Sequence, residues 1–428
     1  MFEELQRSNN ILRTLLSRPM IPGQERNPSV RAFIARYNQN DCDAVRTHAS
    51  DVKKALDACW QCSCSHRISL DLTWHINRPT RSPVFSVSVS YDVGTNQGST
   101  RSSQWQKAQA RIDATGLSSS GNSTTKNDQQ VLGQPVTDSA PTVTPRWSPN
   151  TNQKANDLFS WLKPRSHSTS PLPSSPSNLV APISLGPSAR KIDSLCRFIQ
   201  EIGNGGEPLG FLTVPGGTQH VHLTSIPGAR KEEVTLLHLL PPEKPLAHLR
   251  LSRHKRFEIA VAAAWTTLLL CETPWLDHTW DKHELCFFSE NVTPAGHTLE
   301  RRCVSMTQDC ISNPQLTNTT GAILQNRVIR NEAVFALGVL LIELGLNRTI
   351  TIGTTATNAV DNFIVAESLI DEVFAEAGGL YGDAVQTCIR FAFPGRDMTK
   401  NFSNATFRQY FHNLVVAPIE ATLSSTLI

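Results

Sequence analysis

The stretch AVFALGVLLIELGL, residues 333–346, is apolar at every position except Glu343 and its two glycines. A helix with that composition has no polar stripe to turn toward water, so it reads as a central buried element with the rest of a helical half packed around it. It is shorter than the roughly 18 residues that a membrane span needs, and a carboxylate interrupts it. A buried Glu343 needs a partner.

Upstream lies a second apolar run within LSRHKRFEIAVAAAWTTLLLCE, residues 251–272, a long helix with Ser252 placed as its N-cap. Between the two runs sits TPWLDHTWDKHELCFF, residues 273–288. Trp275, Leu276, Trp280, Leu285, Phe287 and Phe288 give this piece a large apolar payload, while Asp277, Asp281 and Lys282 suit a solvated turn. It reads as a packed plug, with Trp275, Leu276, Trp280 and Phe287 in the core beside Leu337, Gly338, Leu341 and Glu343 of the central helix. The functional alternative makes Asp277 and His278 an acid–base pair, but adjacent side chains rarely face one point. A polar irregular segment over 289–328 follows, and three further helical stretches run to the end.

Toward the N-terminus, residues 1–58 carry helical periodicity, broken by RPMIPGQERNP. The pattern then changes to strand. ISLDLTW and VFSVSVSYDV alternate apolar and polar residues and suggest an antiparallel hairpin. Residues 94–188 are rich in Ser, Thr, Asn, Gln and Pro, and such a composition buries too little apolar area to offset its ordering entropy. That stretch reads as a disordered insertion. Beyond it come the amphipathic helix KIDSLCRFIQEIG, a strand hairpin turned by Pro215, Gly216 and Gly217, and EVTLLHLL as a short helix. The resulting divisions are 1–58, 59–93, 94–188, 189–245 and 246–428, in an α+β chain.

Bulk properties narrow the function. The 428 residues carry 40 Lys and Arg against 37 Asp and Glu, a net charge of +3 with no basic cluster, which argues against a nucleic-acid partner. No stretch suits a transmembrane segment, and the N-terminus lacks a signal-peptide pattern, so an intracellular, cytoplasmic protein with reduced thiols is expected.

This order of elements resembles the protein-kinase fold, and the central helix is similar to that of a kinase C-lobe, with Gly338, Glu343 and Leu344 at matching places. The chain as a whole resembles an uncharacterised family of kinase-like domains from filamentous fungi, related to proteins with prion-inhibition modules. The motifs that carry this are W-x-C-x-C-x-H at 60–66, LGFL at 209–212, TPWL…W at 273–280, ALGVLLIEL at 336–344 and YGDAVQTCIRF at 381–391. The resemblance implies a degenerate kinase-like fold, with a small antiparallel-sheet N-lobe, a mostly helical C-lobe and an N-terminal helical segment. It also implies Arg396 or Arg390 as the structural ion-pair partner of Glu343, and where phosphoryl-transfer residues belong. The chain has no G-x-G-x-x-G over the strands, no V-A-I-K, no H-R-D and no D-F-G. Ala333 stands where a kinase braces its catalytic loop with an acid, and Glu332 is one position away. The expectation is therefore a non-catalytic module with protein partners and no cofactor. The alternative is a divergent phosphotransferase using Asp277 or Glu284.

One other cluster carries chemistry. CWQCSCSH supplies Cys59, Cys62, Cys64 and His66, and alternation along a strand starting near Cys62 places Cys62, Cys64 and His66 on one face. They either converge on a metal or pack as buried thiols, and structural zinc sites draw ligands from separate segments. No second Cys-x-x-Cys completes such a site. His220 and His222 share a strand face but lack nearby carboxylates.

Overall fold

A computed structural model describes residues 27–60, 62, 66–72, 80, 83–92, 103–112, 190–203, 209–217, 219–225, 231–240, 251–276, 285–290, 303–310, 328–350, 359–396 and 400–426. The described elements belong to one compact unit that takes in both sides of the insertion.

In chain order the helices are α1 (Pro28–Ile34), α2 (Gln39–Ala58), α3 (Leu195–Gly203), the single turn α4 (Leu236–Leu239), α5 (Arg253–Leu270), α6 (Glu332–Leu346), α7 (Ala359–Ser368), α8 (Ile370–Ala377), α9 (Gly379–Ile389) and α10 (Ala405–Phe411). A π-helical turn, His412–Val416, joins α10 to α11 (Ala417–Ser425). The strands are β1 (His66–Asp71), β2 (Val84–Asp92), β3 (Ser103–Ile112), β4 (Arg190–Lys191), β5 (Leu209–Thr213), β6 (His220–Ser225), β7 (Lys231–Thr235), β8 (Leu285–Glu290) and β9 (Cys303–Cys310). They form one nine-stranded sheet in the order β4-β5-β6-β3-β2-β1-β9-β8-β7. Every pairing is antiparallel except β4 with β5.

The sheet buries one face through Ile68, Leu70, Phe85, Val87, Val89, Ala110, Val221 and Leu223. α2 and α3 pack on this sheet, and α2 also packs on α5, so α2 joins the sheet to the helical half. The helical half is built around α5 and α6. Every residue of α5 from Ile259 to Leu270 is buried, and Ser252 caps the helix by accepting the Lys255 N–H at 3.2 Å. α6 is buried on nearly all sides and ends at Asn347 in the left-handed conformation. Gly338 is required where α6 meets α9: a Cβ there would lie 2.7 Å from Ile389 Cδ1.

Several differences from the sequence reading have physical causes. Within the stretch assigned to the insertion, residues 103–112 form β3, with Phe85 of β2 opposite Ala110 and Val87 opposite Ala108. Large residues on β2 fill the space that small ones on β3 leave, a complementarity that one strand's own pattern does not reveal. β9 likewise lies in the segment read as irregular, and it pairs with β1 from His66 to Asp71. The strands after α5 thereby join the same sheet as the early ones. EVTLLHLL is half strand, because Lys231–Thr235 pairs with β8 before the single turn of α4.

Glu343 has a backbone partner. It is fully buried, and its Oε1 accepts the Ile350 N–H at 2.6 Å, which fixes the chain just after α6. Arg390 instead pairs with Glu367 (Nε to Oε1 2.8 Å), and Arg396 is exposed. The reverse turn after α6 brings a backbone donor onto the carboxylate.

Candidate functional site

Two places bring polar chemistry together. The first is the junction after α5. α5 ends at Leu270, and its last carbonyls lack helical partners. Arg46 of α2 supplies them: Nη1 donates to Leu268 O at 3.2 Å and Leu269 O at 3.1 Å, and Nη2 donates to Cys271 O at 2.9 Å. A cation at a helix C-terminus also complements the helix dipole. Burial is the main cause that lowers the Arg46 pKa from its ordinary value, with Arg408 second.

The chain then turns sharply. Glu272 adopts φ 62°, and its carboxylate accepts the N–H groups of Phe402 and Ser403, each at 3.1 Å. Arg408 of α10 donates to Phe402 O at 2.6 Å and pairs with Asp43 of α2. Trp275 follows, fully buried, with its indole N–H donating to Ala49 O of α2 at 2.7 Å. Leu276 is 1% exposed, and Lys53 of α2 lies 5.8 Å from the Trp275 ring centre. Cys271, Trp275 and Leu276 are thus buried at this junction, Trp275 against α2, while Pro274 faces solvent. Trp280, Asp277, His278 and Glu284 lie outside the described residues, and Phe287 is described only as backbone of β8.

At the start of α6, Asn331 caps its own helix by accepting the Val334 N–H at 2.9 Å, and Ala333 is fully buried. Nearby, His412 is 1% exposed and lies 4.7 Å from Tyr37 and 5.3 Å from Trp265, ring centre to ring centre. Burial lowers its pKa to about 4, opposed by the Asn413 side chain.

The second place is the entry to the sheet. Cys62, His66 and Cys196 present donor atoms that all lie within 4.8 Å of one another. The β1–β2 ladder runs through Ile68, Ser69 and Leu70, and at its end Ser90 takes over: its Oγ accepts the Arg67 N–H at 2.7 Å and its carbonyl sits 3.0 Å from His66 Nδ1. A carbonyl only accepts, so Nδ1 carries the proton and Nε2 keeps its lone pair. That Nε2 lies 3.0 Å from Cys62 Sγ, while Trp60 stacks on the ring at 4.4 Å. Cys196 comes from α3, which docks through Leu195 N–H to Cys59 O at 3.1 Å.

Of the four candidates in CWQCSCSH, the structure brings Cys62 and His66 together. Cys59 faces away, its sulfur 3.9 Å from Ile192 O, and Cys64 lies outside the described residues. Nothing in the helix pattern of KIDSLCRFIQEIG marks Cys196 as a ligand, since a buried thiol there is equally an apolar helix position. His220 and His222 flank Phe211 instead, at 4.8 and 6.0 Å between ring centres. A further pair went unread because it falls within the supposed insertion. Lys107 of β3 lies 3.1 Å from Asp71 of β1, whose carboxylate also accepts the hydroxyls of Ser86 at 2.7 Å and Ser305 at 2.8 Å.

A family model described as a domain of unknown function, DUF7580, matches residues 39–426. The chain belongs to this family. Nothing among the curated proteins or the solved structures matches it. The family match begins at Gln39, the first residue of α2, and ends at Thr426, the C-cap of α11. The helix that closes the junction after α5 is therefore part of the family's domain, as are Cys62, His66 and Cys196. Among the described residues, no helix is long and apolar enough to cross a membrane.

Proposed function

We propose that this chain is a non-catalytic, kinase-like module that acts by binding a protein partner. A mostly antiparallel sheet beside a helical half built around the buried α6 supports the kinase-like part of this reading. The observation that carries the non-catalytic part is the burial of Trp275 beneath α2, with its indole N–H on Ala49 O. Phosphoryl transfer depends on positioned charges around a nucleotide and its magnesium ions. Here the chain following α5 turns inward as an apolar wedge, and Ala333 replaces the bracing acid.

One observation favours the second reading, a divergent phosphotransferase. Lys107 on the third strand is paired with an acid, as a phosphate-gripping lysine would be. Asp71, however, lies on β1, across β2 from Lys107, and its oxygens also accept from Ser86 and Ser305. That arrangement fits a buried ion pair that ties β1, β2, β3 and β9 together.

Thermal unfolding of the full chain with rising magnesium-ATP separates the two readings. The module reading expects no concentration-dependent rise in Tm. A saturable rise that disappears in Lys107→Met overturns it, since a ligand that binds only the folded state must stabilise that state.

A further inference from the structure

We propose that Cys62, His66 and Cys196 form a zinc site that staples α3 to the start of β1. Two thiols and an imidazole make a soft donor set that selects zinc over magnesium or calcium. The donors come from two segments separated by the whole insertion, so an ion there closes a long loop, as structural zinc sites do.

His66 is already prepared as a ligand. Its Nδ1–H is engaged by the Ser90 carbonyl at 3.0 Å, which fixes the ring and leaves Nε2 facing the two sulfurs. Metal-binding histidines usually have this outer hydrogen bond. With Zn–S about 2.3 Å and Zn–N about 2.0 Å, tetrahedral donors stand about 3.5–3.8 Å apart. The three atoms lie within 4.8 Å of one another, so closing on an ion asks each to move by less than about 1 Å.

Cys62 and Cys196 are thiols, not partners in a disulfide. Cys62 is half-buried, unlike Cys42, Cys271 or Cys388, which sit in the core. Binding deprotonates both thiols and releases their protons to solvent, leaving one coordination position for water or a further donor. The site is independent of whether the domain handles nucleotide.

The test uses the full chain, reduced, stripped with a chelator and titrated with Co²⁺ alone. The expected result is one equivalent bound, with a near-ultraviolet sulfur-to-cobalt charge-transfer band and visible bands of tetrahedral cobalt, all abolished by one equivalent of Zn²⁺. Cys196→Ser and His66→Ala weaken binding by more than about 100-fold, while Cys59→Ser retains it. A second measurement needs no variant. Zn²⁺ shields Cys62 and Cys196 of the wild-type chain from alkylation, read peptide by peptide by mass spectrometry. The proposal is overturned if the folded wild-type chain takes up no metal, if Cys196→Ser binds as tightly as wild type, or if the two thiols alkylate equally with and without zinc.

Discussion

The indole N–H of Trp275 donates to the backbone carbonyl of Ala49 at 2.7 Å, joining residues 226 apart in sequence. Both residues are fully buried. The bond sits where α2, the end of α5 and the approach to α10 meet, beside the fan of bonds from Arg46 to the last carbonyls of α5. The junction is closed by polar groups that are satisfied internally, which is how a buried turn stays folded.

Trp275→Phe keeps the six-membered ring's packing and removes the donor together with the pyrrole part of the indole, so the loss includes a small cavity as well as the bond. Urea unfolding should show a loss of at least about 1 kcal/mol, the net worth of an ordinary hydrogen bond. Trp275→Ala leaves a large cavity and should cost about 3–5 kcal/mol. Equal, near-zero losses for both variants would mean that the wedge is not packed.

Gly338→Ala tests the α6–α9 contact. The added methyl meets Ile389 Cδ1 at 2.7 Å and Cys388 Cβ at 3.1 Å, and backbone geometry offers no relief because residue 338 is mid-helix. Overpacking of this kind costs about 1–3 kcal/mol, more than the gain in helix propensity. Chemical denaturation should therefore show a destabilised variant. A stabilised one would show that the two helices are not in contact.

His412 gives the chain a calculable acid sensitivity. Its folded pKa is lowered from 6.5 to about 4, mainly by burial between Tyr37 and Trp265. Below pH 6.5 the unfolded chain binds a proton that the folded chain refuses, so stability is present above that pH and is lost as pH falls toward 4. The loss reaches about 3 kcal/mol across that window. Comparing urea midpoints of wild type and His412→Gln should show the wild type falling more steeply with acid between those limits. Parallel slopes would contradict the assignment.

Much of the helical half was legible in the sequence because its signals are local. Ser252 stands one residue before a helical run, α6 is apolar all round, and Pro215-Gly216-Gly217 turns a hairpin with Gly216 at φ 73°. What stayed hidden depends on partners distant in sequence. SQWQKAQARI reads as polar coil alone, and it becomes a strand only because β2 offers Phe85 and Val87 opposite its alanines. Cys196 looks like one more apolar position until α3 lies against Cys62 and His66. The bond from the Ile350 N–H to Glu343 depends on how the chain turns after α6, which the apolar run itself does not reveal.

Amide hydrogen exchange over residues 271–276 tests the closed junction most directly. The amides of Cys271, Thr273 and Leu276 donate to Thr267 O at 3.1 Å, Leu270 O at 3.0 Å and Thr273 O at 3.1 Å, beneath a buried indole. They should exchange as slowly as the centre of α5, through global unfolding alone. If they exchange on the timescale of an open loop while α5 stays protected, the junction is accessible and the non-catalytic reading loses its foundation.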